Sequence, residues 1–176
     1  MNTSSGMKMK DRLQILVVTV SDRASQGQYE DQSGPLVESL TSRYLKDLDF
    51  VVTCERMIVP DERDQIQQEL RAAVDAGFDL VLTTGGTGIG PRDVTPEATL
   101  AVITKELPGL TEAVRARFRD AHPAAMLSRA VAGVRERTLL VNLPGSIRAV
   151  QEHLEVILPV VPHALEMIAG GHTHPD

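Results

Sequence analysis

The chain has no tryptophan, only three phenylalanines and two tyrosines, and a single cysteine, Cys54, in 176 residues. One cysteine excludes an internal disulfide and any cysteine-based zinc cluster. Its place in an apolar run predicts a buried structural thiol rather than a nucleophile. Nucleic-acid binders combine a basic footprint with aromatic platforms on which bases stack. Here 18 Lys and Arg stand against 24 Asp and Glu, a net charge of −6, so nucleic acid is not an expected partner. A flavin carrier is disfavoured by the same shortage of aromatics. No run of about 18 apolar residues occurs, which excludes a transmembrane helix and makes a membrane an unexpected partner. The N-terminal MNTSSGMKMKDR lacks the apolar middle of a signal peptide. It reads as a loose tail, residues 1–12, on a cytoplasmic protein.

What is present is a regular alternation. Leu13 to Val20, LQILVVTV, is short, β-branched and almost continuously apolar, as suits a strand buried on both faces. Phe50 to Val59, Leu80 to Thr84 and Thr138 to Leu143 predict further strands. Between them, Leu36, Val37, Leu40 and Tyr44 recur at helical spacing, as do Ile66, Leu70, Ala73 and Val74. Helix is expected from Pro96 to about Arg119 and again through Ile147, Val150, Leu154 and Ile157. Pro159 ends or kinks that helix, and a last one runs from Val160 to Ala169. The pattern predicts an α/β, three-layer, doubly wound fold with a mostly parallel central sheet. One domain over residues 13–170 is expected, with a second loose tail over 171–176. His172 and His174 in that tail are not expected to hold a metal.

Ligands of such sheets bind outside the carboxyl ends of the strands. Four loops there carry small or polar residues that a plain connection would not need. They are SDR (Ser21 to Arg23), PDER (Pro60 to Arg63), GGTGIGPRD (Gly85 to Asp93) and NLPGS (Asn142 to Ser146). Gly85, Gly86 and Gly88 can turn backbone N–H groups towards a ligand, or can simply make a tight turn. The P-loop pattern fails because Pro91 and Arg92 stand where Lys and Ser or Thr belong, and the dinucleotide pattern fails at Pro91. Thr95 is expected as a helix N-cap with Pro96 at N1. Asp93 is then either a turn residue paired with Arg92 or a functional carboxylate. Asp61 is either the N-cap of the helix holding Ile66 or a functional carboxylate. Ser146 can cap its helix, bind phosphate at the helix N-terminus, or both. His122, His153 and His163 look scattered, and Glu112, Arg115 and Arg119 look like a solvated helix face.

Taken in order, VSDRASQGQYEDQSGP, VPDE, TTGGTGIGPRDVTPEAT, MLSRA, NLPGS and ILPVVPHALEMIAG resemble the MogA family and the gephyrin G domain. The match runs from about Leu13 to Gly170. The resemblance implies a MogA/MoaB-like fold and a molybdopterin adenylyltransferase of molybdenum cofactor biosynthesis. Such an enzyme joins molybdopterin to AMP from Mg-ATP and releases pyrophosphate. It also implies a homotrimer, and hand-over of the product to a molybdenum-insertion protein. Asp61 and Asp93 match the family's two acidic positions. Thr84, Gly85, Gly86, Thr87 and Gly88, with Asn142, Pro144, Gly145 and Ser146, match parts that hold pterin and phosphates. Ser21 and Asp22 match the first-strand loop, and Ser128 and Arg129 the L-S-R segment. The alternative is a MoaB-like protein that binds molybdopterin without adenylylating it. Scaffold and CinA-type readings fit less well, because the chain offers no second domain.

The implied chemistry suits these residues. A phosphate monoester is mostly ionised at neutral pH, its second pKa being about 6, so no general base is required. The reaction needs two anions aligned. Carboxylates beside a phosphate cradle repel the phosphate unless a cation stands between them. Asp61 and Asp93 are therefore expected to hold Mg2+, directly or through water.

Overall fold

The computed structural model describes residues 11–171. Residues 1–10 and 172–176, which hold most of the two expected tails together with His172 and His174, lie outside the described residues. In chain order the strands are β1 (Arg12–Val20), β2 (Val51–Val59), β3 (Leu80–Thr84), β4 (Lys105–Glu106), β5 (Ala132–Arg135) and β6 (Thr138–Leu143). The helices are α1 (Asp22–Ser25), α2 (Ser33–Lys46), α3 (Arg63–Asp75), α4 (Thr95–Leu100), α5 (Pro108–Phe118), α6 (Ile147–Ile157) and α7 (Val161–Ile168).

The strands form one sheet in the order β2-β1-β3-β6-β5-β4. The first four of that order run parallel, while β5 and β4 add an antiparallel edge. Alternation along β1 builds both layers of core. Leu13, Ile15 and Val17 join Val37 and Leu45 of α2, Val114 of α5, Val150, Leu154 and Ile157 of α6, and Val161 and Leu165 of α7. Leu16, Val18 and Val20 join Ile66, Leu70, Ala73 and Val74 of α3 and Ala98 of α4 on the opposite face. Because helices cover both faces, a strand such as β3 has no solvent side and all five of its residues are buried; this is why Leu80 to Leu82 are apolar without alternation, and the buried Thr83 and Thr84 hydroxyls need partners inside the fold. The three-layer expectation holds.

The expected helix over 96–119 is two helices. α4 stops at Leu100, a turn follows over 101–102, and the chain then becomes extended. Thr104 N–H donates to Val134 O at 2.9 Å and Leu107 N–H to Ala132 O at 2.8 Å, which makes the short strand β4. Pro108 would break a continuous helix, and it instead opens α5. Its partner β5 was not expected either. It is four residues long and contains Gly133, where a Cβ would lie 2.5 Å from Lys105 O. The loop after β1 also hides a single helical turn, α1. Pro159 behaves as expected: α6 ends at Ile157, and a 3₁₀ turn over Leu158–Val160 leads into α7. Cys54 lies half-buried on β2. Burial, with the charge of Glu38, pushes its thiol up to about 11, so it is an inert thiol at neutral pH.

At the middle of the sheet a polar side chain is fully enclosed. Asn142 on β6 donates from Nδ2 to Thr83 Oγ1 at 2.9 Å and Thr99 Oγ1 at 2.8 Å. Its Oδ1 accepts the Val131 N–H at 3.2 Å. The amide thereby ties β3, α4 and the entry to β5 to one strand, with every hydrogen-bonding group occupied. Asn142→Ala is expected to lower folding stability by roughly 2–4 kcal/mol, since it strands buried donors and acceptors. Urea unfolding checks this.

Candidate functional site

The chain leaves β1 for β2 on one side and later places β3 on the other, so a crevice opens at the carboxyl ends of β1 and β3. β6 lies next to β3 and brings a third loop to the same place. The three strand ends meet around Gly85. Its N–H donates to Leu143 O at 3.1 Å. Its φ is +103°, and a Cβ there would lie 2.3 Å from Val20 O. Gly145 closes the other side, where an added Cβ would lie 3.3 Å from the Gly85 Cα. Thr84, fully buried, donates its hydroxyl to Pro144 O at 2.8 Å.

Gly86 follows at φ +65°. Thr95 fastens this turn: its hydroxyl donates to Gly85 O at 2.9 Å and its N–H to Gly86 O at 3.2 Å. That corrects the expected cap. Thr95 is the first residue of α4, and Val94 precedes it without a side-chain cap. Tertiary acceptors have claimed the hydroxyl. Of the two readings of Asp61, the structure removes the helix cap. α3 is preceded by Glu62, again without a side-chain cap, and the Asp61 carboxylate instead accepts the Asp22 N–H at 2.8 Å. Asp22 reciprocates by accepting the Asp61 N–H at 3.0 Å. Ser21 caps α1, accepting from Ala24 N–H at 3.2 Å. Ser146 caps α6 as expected, accepting from Ala149 N–H at 3.4 Å.

Beyond the glycines lies a cavity of about 630 Å³, within the size range of small-molecule sites. Gly85, Gly86, Thr87, Gly88, Asp93, Ser128, Pro144, Gly145 and Ser146 line it. Ser21, Asp22, Asp61, Thr84 and Asn142 are not in its wall. They stand behind it or beside it, and Thr84 and Asn142 act through the shape they enforce. The opposite wall comes from residues that the sequence did not tie to the site, including Val114 and Phe118 of α5 and Arg148 and Glu152 of α6, together with His122 and His153, which looked scattered in the sequence and meet at the cavity. Glu152 accepts from Arg148 Nε at 2.9 Å and faces His122 Nε2 at 3.3 Å. The Arg148 and Glu152 spacing of four residues was the available signal. His153 is buried and bonds the Ala149 carbonyl through Nδ1 at 2.8 Å; burial pulls its pKa below the ordinary value, so it is neutral at pH 7.

The two carboxylates reach the glycine loop from different sides. A Cβ on Gly86 would stand 3.2 Å from Asp61 Oδ1. One on Gly88 or Gly90 would stand 2.8 or 2.9 Å from Asp93 Oδ2. Asp93 accepts the Gly90 N–H at 2.7 Å, and Arg92 turns away from it to Asp22 and Glu62. Burial pushes the Asp61 carboxyl up, and the charges of Asp22 and Asp93 push the same way. Among the described residues no three His, Cys, Asp or Glu side chains gather to enclose a metal. The donor set fits Mg2+ all the same, because that ion commonly takes one or two carboxylates and fills its shell with water and phosphate.

Arg129 supports the loop from below. Its N–H donates to Thr87 O at 2.9 Å, and its guanidinium donates to Gly88 O at 2.7 Å, to Asp93 O at 2.5 Å and to Glu97. Arg115 was expected on a solvated face. It is half-buried instead and reaches the carbonyls of Ser128 and Ala130 at 3.3 and 3.4 Å.

Residues 16–163 match a domain family described as a probable molybdopterin binding domain. The chain is 43% identical to the molybdopterin adenylyltransferase of Helicobacter pylori J99 over 162 residues, 91% of this chain and 90% of that one. It is 40% identical to gephyrin of Dictyostelium discoideum over 173 residues, 96% of this chain but 24% of gephyrin. The structure of MoaB from Thermus thermophilus, a molybdopterin biosynthesis enzyme, superposes with a TM-score of 0.80 at 42% identity, covering 90% of this chain and 97% of that one.

Lysine cannot reproduce a planar fork that serves several acceptors at once. Arg129→Lys is therefore expected to loosen the segment from Thr87 to Gly90 while leaving the sheet intact. Hydrogen exchange should rise roughly tenfold or more across that loop and stay unchanged in β1 and β3.

Proposed function

The chain belongs to the molybdopterin-binding domain family, and from that membership we propose that it is a molybdopterin adenylyltransferase of molybdenum cofactor biosynthesis. It transfers AMP from Mg-ATP to the terminal phosphate of molybdopterin and releases pyrophosphate. The observation that carries this reading is the convergence of Asp61 and Asp93 on a glycine loop at the mouth of a cavity of about 630 Å³.

The pterin lies in the cavity. The Ser146 end of α6 and the backbone N–H groups from Gly86 to Gly88 hold its phosphate, since N–H groups at a helix start favour an anion; Gly85 shapes the turn through its bond to Leu143 O. The attacking phosphate oxygen is already ionised. His153 is neutral and buried, and no base is called for. Attack at the α-phosphorus of ATP forms the new P–O–P bond as the bond to the bridging oxygen of the pyrophosphate breaks. The residues' task is alignment and charge management. Asp61 and Asp93 hold Mg2+, directly or through water. Bound there, the ion neutralises the charge that develops on the departing pyrophosphate. Assembly as a homotrimer, hand-over of the product to a molybdenum-insertion protein and a cytoplasmic setting belong to the same proposal. No helix among the described residues is long and apolar enough to cross a membrane.

Pyrophosphate release from Mg-ATP should require molybdopterin. It should fall at least a hundredfold in Asp61→Ala and in Asp93→Ala, with pterin affinity changed less than threefold. Tight pterin binding by the wild type without pyrophosphate release would make the protein a MoaB-like binder instead.

A further inference from the structure

Four carboxylates crowd the carboxyl ends of β1, β2 and β3: Asp22, Asp61, Glu62 and Asp93. One cation sorts them. Arg92 donates from Nε to Asp22 Oδ2 at 3.1 Å and from Nη2 to Asp22 Oδ1 at 3.0 Å. The same Nη2 reaches Glu62 Oε1 at 2.7 Å. This fork joins the loops after β1, β2 and β3. It also seats Asp22, whose carboxylate holds the Asp61 N–H while its own N–H holds the Asp61 carboxylate. The Arg92 bond keeps the Asp22 carboxyl below its ordinary pKa. Among the described residues neither Asp61 nor Asp93 has an ion-pair partner within 4 Å.

We propose that Arg92 is a positioning residue for the transfer reaction: by occupying Asp22 and Glu62 it leaves Asp61 and Asp93 as the pair open to the divalent cation. This rests on the reading that those two carboxylates serve Mg2+. Without Arg92, Asp22 is a free carboxylate hydrogen-bonded to the backbone of Asp61. The two can then take a cation between them, away from Asp93 and from the phosphates it must neutralise. Arginine suits the task because one planar fork meets a carboxylate at two points and still offers a hydrogen to a second acceptor.

The test compares wild type, Arg92→Met and the double variant Arg92→Met with Asp22→Asn. Asparagine keeps an oxygen for the Asp61 N–H but removes the charge that Arg92 had neutralised. Mn2+ binding is followed by electron paramagnetic resonance without nucleotide and with a non-hydrolysable ATP analogue. Pterin-dependent pyrophosphate release gives kcat and KM, and thermal melting reports folding. Arg92→Met should bind Mn2+ without nucleotide at least tenfold more tightly than wild type and turn over at least tenfold more slowly. The double variant should lose that extra Mn2+ affinity and recover at least threefold in kcat over the single one. Nucleotide-free Mn2+ binding unchanged by Arg92→Met would overturn the proposal. So would a double variant no faster than the single one with the loss residing in the KM for ATP, which would make Arg92 a phosphate contact. If Arg92→Met does not fold, Arg92→Gln replaces it, keeping a hydrogen-bond donor but no charge, with the same direction of change expected and the same outcomes decisive. A wild type without pterin-dependent turnover would sink the proposed reaction, while the Mn2+ comparison would still decide the role of Arg92.

Discussion

The site depends on a point where only backbone fits. Gly85 sits where the ends of β1, β3 and β6 converge, and its missing Cβ is what lets Val20 O come within 2.3 Å of that position. A side chain at φ +103° would cost about 1–2 kcal/mol in backbone strain alone. The steric conflict would be worse, since the neighbour is backbone at the buried end of β1 and cannot yield. Moving it would shift β1 against β3. The glycine therefore sets how closely the first, third and last loops approach. Everything that lies on those loops inherits its position from that packing.

Closeness creates the second problem, which is charge. Bringing strand ends together also brings together the carboxylates of Asp22, Asp61, Glu62 and Asp93. Uncompensated, they would repel one another and any phosphate. The fold answers with two arginines of different character. Arg92 is exposed and works on side chains, joining three loops through Asp22 and Glu62. Arg129 is half-buried and works largely on carbonyls, holding Thr87, Gly88 and Asp93 to a fixed path. One settles which carboxylates remain open. The other settles where the loop runs.

Much of the fold was legible because the sheet is covered on both sides. Strands such as Leu80 to Thr84 have no solvent face, so they read as apolar and β-branched runs without polar alternation. The antiparallel edge was not legible. Lys105 and Glu106 are exposed, carry no apolar pattern and become a strand only because β5 lies alongside. The caps show the same limit. Ser21 and Ser146 cap their helices because nothing else competes for their hydroxyls. Thr95 and Asp61 carry equally good capping groups, and distant partners took them: the Gly85 carbonyl in one case and the Asp22 N–H in the other. Local sequence supplies the chemical group. The tertiary approach of loops that lie far apart in the chain decides what the group bonds.

The two walls of the cavity differ in kind, and this bears on what it can discriminate. The wall built from the strand ends is mostly backbone, glycine and small hydroxyls, and such a surface recognises charge and geometry with little regard for the rest of a ligand. The other wall is side chain: Val114 and Phe118 give apolar area, and Glu152, held by Arg148 and His122, gives a fixed carboxylate. On the proposed reading, the anion falls to the strand-end loops and the start of α6, and the ring system to the inward faces of α5 and α6. The strand-end wall is fixed by strand packing, and its glycine pattern stood out in the sequence as either a ligand loop or a tight turn. The ring-facing wall sits on α5 and α6, whose inward residues resemble ordinary helix faces until the sheet brings them opposite the loop. Substitutions on α6 can retune that wall without touching the strand ends, so a single anion-handling frame can accept different rings.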